Sequence, residues 1–185
     1  MGLFLQTAIV KDGDMGRIQS CLSEIAREYP DMNLNAQECV YHPYDRGVGI
    51  LFNDHAAGFD PLAEALCAKL NATVLMLYIY DDDFWGYFLC ENGREIDRFS
   101  PLPDYFDEDE EAVARYAGTP GQIARCFDVA EEEISRYIVR WSEDILDSDA
   151  CETAYEDDES TYGDCWQMAD FMRKLGFPFD ALEQA

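Results

Sequence analysis

The sequence predicts an α+β protein: a ferredoxin-like βαββαβ sheet, extended by a β-hairpin to about six mostly antiparallel strands, with C-terminal helices packed on it. Three observations carry that prediction. Strand-like and helix-like segments follow one another as β-α-β-β-α-β between residues 3 and 80. Two further strand-like runs, WGYFLC and REIDRF, flank Glu91-Asn92-Gly93, and Asn-Gly is the strongest short hairpin signal. Residues 74–80 are apolar at every position rather than alternately, which suits a strand covered on both faces. Two early helices cover one face, so residues 101–185 must cover the other.

The elements follow in order. Leu3 to Val10 is a β-rich apolar run. Asp14 caps a helix whose apolar face is Ile18, Leu22, Ile25 and Tyr29, and Pro30 ends it. Residues 35–41 and 48–52 read as strands, with HPYDRG as the turn between them. Asp60-Pro61 reads as an N-cap with proline at the first helical position, followed by Leu62, Leu66 and Leu70. Residues 73–80 form the fourth strand. In the last strand Glu95 and Asp97 alternate with Ile96, which suits a charged, solvent-facing sheet edge.

Beyond Pro101 and Pro103 the chain reads as helical. Thr119-Pro120-Gly121-Gln122 fits a capping box. Ile134, Tyr137, Ile138 and Trp141 make an i, i+3, i+4, i+7 stripe, predicting a helix. Residues 142–164 read as an acidic, loop-like link. Trp166, Met168, Ala169, Met172 and Leu175 form a last amphipathic helix, stopped by Gly176 and Pro178. No repeat or linker divides the chain, so residues 1–185 are expected to form one integrated domain.

Charge narrows function more than any motif. The 185 residues include 39 acids and 13 bases, a formal net charge of −26. Residues 1–100 carry 16 acids and 7 bases, and residues 101–185 carry 23 and 6. Such a surface repels phosphate backbones and anionic lipid, so neither nucleic acid nor membrane is an expected partner; a basic protein is. The apolar run at 73–80 is too short to span a bilayer. The opening MGLFLQTAIVKDGD lacks a basic n-region and a small-residue cleavage site, so no signal peptide is expected. The seven cysteines are odd in number and contain no CxxC pair, which points to a reducing cytoplasm rather than a disulfide scaffold.

The acids fall in three groups. Asp81, Asp82 and Asp83 follow the fourth strand; if extended, Asp81 and Asp83 share a face. Asp104, Tyr105, Asp107, Glu108 and Asp109 lie in DYFDEDEE. Tyr155, Asp157, Asp158, Glu159 and Tyr162 lie in AYEDDESTYGDCW. Tyrosines among acids form a surface suited to a basic protein, with aromatic anchors and charge steering. The alternative is a metal-dependent hydrolase, with Asp81 and Asp83 joined by Asp104, Asp107 or Asp109. No EF-hand loop, P-loop, GxSxG or HExxH pattern supports catalysis, and His42 and His55 sit in no nucleophile motif. No metal, cofactor or catalytic residue is therefore assigned.

The stretches WGYFLCENGREIDRFSPLPDYF and YGDCWQMADFMRKLGF resemble small acidic bacterial cytoplasmic proteins, some of them similar to immunity proteins of polymorphic toxin systems. The resemblance implies a bacterial cytoplasmic origin and carries over no functional residue. The expected function is a non-enzymatic acidic binding protein for a basic protein partner, with a structural or regulatory subunit as a further alternative.

Overall fold

The computed structural model describes residues 2–54, 56, 58–105, 109–146 and 152–185. Among them six strands form one antiparallel sheet: β1 (Leu5–Lys11), β2 (Val40–Tyr44), β3 (Gly47–Leu51), β4 (Val74–Tyr80), β5 (Phe84–Glu91) and β6 (Arg94–Phe99), in the order β2-β3-β1-β4-β5-β6. Helix α1 (Met15–Glu28) joins β1 to β2, and α2 (Phe59–Leu70) joins β3 to β4. The C-terminal part adds α3 (Glu110–Arg115), α4 (Pro120–Phe127), α5 (Glu143–Leu146), α6 (Gln167–Lys174) and α7 (Asp180–Glu183).

Register assigns the faces. Leu75, Leu77 and Ile79 of β4 stand opposite Leu89, Tyr87 and Trp85 of β5. That face meets α6, where Phe171 lies 5.2 Å from Trp85 and 6.0 Å from Tyr87, ring centre to ring centre. Contacts of this kind are each worth about 0.5–1.5 kcal/mol beyond the area they bury. The same face reaches α7, where Leu182 packs over Gly49 and the Tyr44 hydroxyl donates to the Pro178 carbonyl at 2.8 Å. The other face carries Val74, Met76, Tyr78, Phe88 and Cys90, over which α2 lies. All of β4 but its last residue is buried, as a strand between two layers must be. Buried apolar residues from Ala8 to Leu182 belong to a single cluster.

Several local expectations give way. The second strand starts at Val40, because residues 36–38 form a turn, and Pro43 lies inside β2. A proline is tolerated there because β2 is an edge strand whose outer N–H positions need no ladder partner. Gly58, not Asp60, is the N-cap of α2; the Asp60 carboxylate pairs with Arg98 at 2.9 Å instead. Thr119 makes no side-chain cap, and its N–H donates to Asp97 at 2.9 Å. Asp97 is thus an internal acceptor rather than a solvent-facing edge charge; it also takes a hydrogen bond from the Tyr87 hydroxyl at 2.7 Å.

Ile134, Tyr137, Ile138 and Trp141 are all buried, yet no α-helix carries them. Of the four, Tyr137 lies in a 3-10 turn, Ser135–Tyr137; Ile134 joins that turn to the preceding one, Glu131–Glu133, Ile138 follows it, and Trp141 stands in irregular chain. Tertiary partners take the backbone donors a helix would use. The Arg136 N–H donates to the Tyr155 hydroxyl, and the Trp141 N–H to the Pro101 carbonyl.

Candidate functional site

The β4–β5 connection is the most exposed acidic element of the sheet. Asp81 and Asp82 have φ of 54° and 63°, both left-handed, and the Asp83 N–H donates to the Tyr80 carbonyl at 2.9 Å. Two left-handed residues inside such a turn match the right-handed twist of the flanking strands. Aspartate and asparagine tolerate this conformation better than other non-glycine residues. The three side chains therefore do not alternate as an extended chain would, and the expected common face of Asp81 and Asp83 does not form. All three project into solvent from the sheet end.

Aromatic rings surround the turn. Phe4 is 50% exposed and Tyr105 44% exposed, two of the four large apolar side chains that stand out into water among the described residues. Phe4 meets Tyr80 edge-on at 5.0 Å; Tyr105 lies 5.7 Å from Tyr80 and 5.0 Å from Phe84. The Tyr105 hydroxyl donates to Asp83 at 2.7 Å, and that hydrogen bond to a carboxylate is the main reason its pKa rises to about 12. The Asp82 N–H donates to the Leu3 carbonyl at 3.2 Å, tying the turn to the chain before β1. Beside Phe4 and Tyr80 lies a groove of about 400 Å³ lined also by Leu3, Leu5 and Phe52. Asp104, next to Tyr105 in the chain, pairs with Arg140 at 2.6 Å.

The second acidic segment turns mostly inward. The Asp158 side chain is 0% exposed; it accepts from the Tyr137 hydroxyl and from the Tyr155 N–H at 2.8 Å, with Arg173 at 3.5 Å. The Tyr155 hydroxyl donates to the Glu132 carbonyl, and that of Tyr162 to the Arg136 carbonyl. Asp170, also buried, accepts from the N–H groups of Glu159 and Ser160 and pairs with Arg173 at 2.6 Å. Asp157 pairs with Lys174, whose hydrogen bond holds its pKa below the usual carboxylate range. The described part of this segment is loop-like, as its sequence reads, but laced by internal hydrogen bonds, and the Asp158 side chain is taken off the outer surface.

Of the expected set, Asp81, Asp82, Asp83 and Tyr105 come together, and Asp104 precedes Tyr105 in the chain, paired with Arg140. Tyr155, Asp157, Asp158, Glu159 and Tyr162 form the separate unit just described. Asp109 caps α3, accepting from the Glu111 N–H at 3.1 Å. Asp107, Glu108 and His55 lie outside the described residues. His42 stands in β2 against the Tyr44 ring. Phe4 and Tyr80 are additions; nothing in the apolar run at 3–10 separates an outward phenylalanine from the strand interior.

Among the described residues no group of three or more His, Cys, Asp or Glu side chains is placed to hold a metal ion. No helix among them is long and apolar enough to cross a membrane. Among the described residues eight bases are engaged in ion pairs: Lys11, Arg46, Lys69, Arg98, Arg125, Arg140, Arg173 and Lys174. The acidic surplus thus meets few unpaired cations. Comparison with family models, with curated proteins and with solved structures finds no match for this chain.

Proposed function

We propose that the protein is a non-enzymatic acidic binding protein that holds a basic protein partner on the face around the β4–β5 turn. One observation carries this reading: three exposed carboxylates share a sheet end with two exposed aromatic rings, Phe4 and Tyr105. Charges of one sign steer a basic partner and raise its association rate, while half-exposed aromatics gain most from being buried and set the lifetime. A neutralised bacterial toxin is one such partner. The excess of acid over base opposes nucleic acid and anionic lipid as partners. Six described cysteines are buried free thiols, which supports a reducing cytoplasm. The order β2-β3-β1-β4, with α1 and α2 as the two crossovers, supports assigning residues 5–80 to the ferredoxin-like class.

The test is a footprint. A basic protein captured from the native cell is repurified and bound to the full chain, and amide hydrogen exchange is compared with and without it. Slowed exchange at residues 2–4, 80–84 and 104–105 is expected. Protection confined to other surfaces removes the proposal.

A further inference from the structure

A cavity of about 310 Å³ lies between α6, α7 and the turn at 159–160. That volume sits at the small end of ligand sites and suits one side chain better than a large molecule. Two of its walls are aromatic: Trp166 and Phe179, ring centres 5.7 Å apart and planes tilted by 57°. Trp166 is half-buried and Phe179 is buried, so the pair is fixed in place yet open on one side. Indole is the best aromatic face for a cation.

The polar lining decides between ligand classes. Glu159, Asp180 and Glu183 are exposed at the cavity, and among the described residues no cation lies within ion-pair distance of them. Asp170 is consumed by Arg173 and by two backbone amides. Arg173 also lines the cavity, but Asp157, Asp158 and Asp170 already neutralise it, so it neither repels a cation nor stands ready for an anion. An uncharged apolar occupant would desolvate the carboxylates without replacing their water. A cation with an aliphatic stem satisfies both the rings and the rim.

The start of α6 is tied to the start of β5. The Trp85 indole N–H donates to the Gln167 side-chain oxygen at 3.4 Å, which sets Gln167, next to Trp166, against the strand that leaves the acidic turn.

We propose that the cavity walled by Trp166 and Phe179 receives one lysine or arginine side chain of the basic partner, the rings holding its stem and Glu159, Asp180 and Glu183 its charge. The proposal rests on the partner-binding reading above.

The test follows the side-chain indole resonances of the full chain. Trp85 and Trp141 are 0% and 3% exposed, so they serve as internal controls for Trp166. The probes are blocked Gly-Lys-Gly, Gly-Arg-Gly and Gly-norleucine-Gly, the last with a stem but no charge. A saturable shift of the Trp166 resonance is expected with the two cationic peptides, about tenfold weaker with norleucine. Asp180→Asn with Glu183→Gln, both exposed, should weaken the lysine peptide by about three- to tenfold. An equal response to norleucine, no saturation with any peptide, or displacement of the lysine peptide by magnesium at matched ionic strength each overturns the proposal. Replacing Asp81, Asp82 and Asp83 by asparagine should leave this titration within about twofold, since screening weakens charges at that distance. A failed titration beside an intact footprint at the turn thus removes the cavity alone.

Discussion

Asp170 and Asp97 are two acids the fold has taken inside. Asp170 gathers two backbone amides and Arg173 at a buried point, joining α6 to the turn at 159–160. Removing a buried acceptor leaves its donors unsatisfied, which costs more than the bond itself is worth. Asp170→Ala is expected to lower stability by about 2–4 kcal/mol, with Asp170→Asn milder, read as a shift in urea midpoint. Asp97 is held above the ordinary aspartate range by burial, which outweighs the hydrogen bonds from Tyr87 and Thr119. Its protonated form is thus favoured in the folded state. Its contribution to stability falls as pH rises from the ordinary aspartate value through the higher native one, and is level above that. Asp157, held low, has the opposite sign: its contribution is lost as pH falls through its lower native value. Asp97→Asn removes only the first of these two contributions. The variant should therefore gain stability relative to the parent as pH rises from the ordinary aspartate value through the higher native one, measured as the difference in thermal midpoint. A difference that does not change with pH contradicts the assignment. Neither role was legible in the sequence, where Asp97 reads as an outer charge by alternation and Asp170 falls outside the apolar set of the last helix.

At the scale of elements, what was legible follows from short-range physics. The Asn92-Gly93 turn has both residues at positive φ, 54° and 73°, as the dipeptide demands. Asp14 caps α1, accepting from the Arg17 N–H at 2.9 Å. Failures came where distant groups decide. The Ile134–Trp141 stripe is buried as its spacing predicts, but Tyr155 and Pro101 claim the backbone groups a helix needs. Asp81 and Asp82 read as the end of a strand because their left-handed backbone depends on where the partner strand begins. The four-residue α7, which covers β2 and β3, has too short a pattern to be read at all. Gly86 belongs here too. It lies in the middle of β5, and a Cβ there would run into the Tyr78 hydroxyl and the Phe99 carbonyl oxygen. A backbone contact cannot swing aside, so Gly86→Ala is expected to cost about 2–4 kcal/mol, seen as a lower denaturation midpoint with the same denaturant slope. Stability equal to the parent would mean that β5 and β6 do not pack as described.

For the whole molecule, charge is the organising fact. Most cations are bound in ion pairs, and the turn at the sheet end offers carboxylates beside aromatic rings. That much of the site, Asp81 to Asp83 with Tyr105, was legible as clustered acid and tyrosine. That these meet each other and Phe4, while Tyr155, Asp158 and Tyr162 fold inward, needed the tertiary structure. The most direct test of the account is the association rate of the captured basic partner across a salt series, for the parent and for Asp81→Asn/Asp82→Asn/Asp83→Asn. Asparagine keeps the left-handed turn, so the variant changes charge and little else. The account predicts that the parent's rate falls about tenfold or more from about 20 to about 200 mM salt, and that the variant starts lower with a shallower slope. A parent rate indifferent to salt, or a variant indistinguishable from the parent, would contradict it.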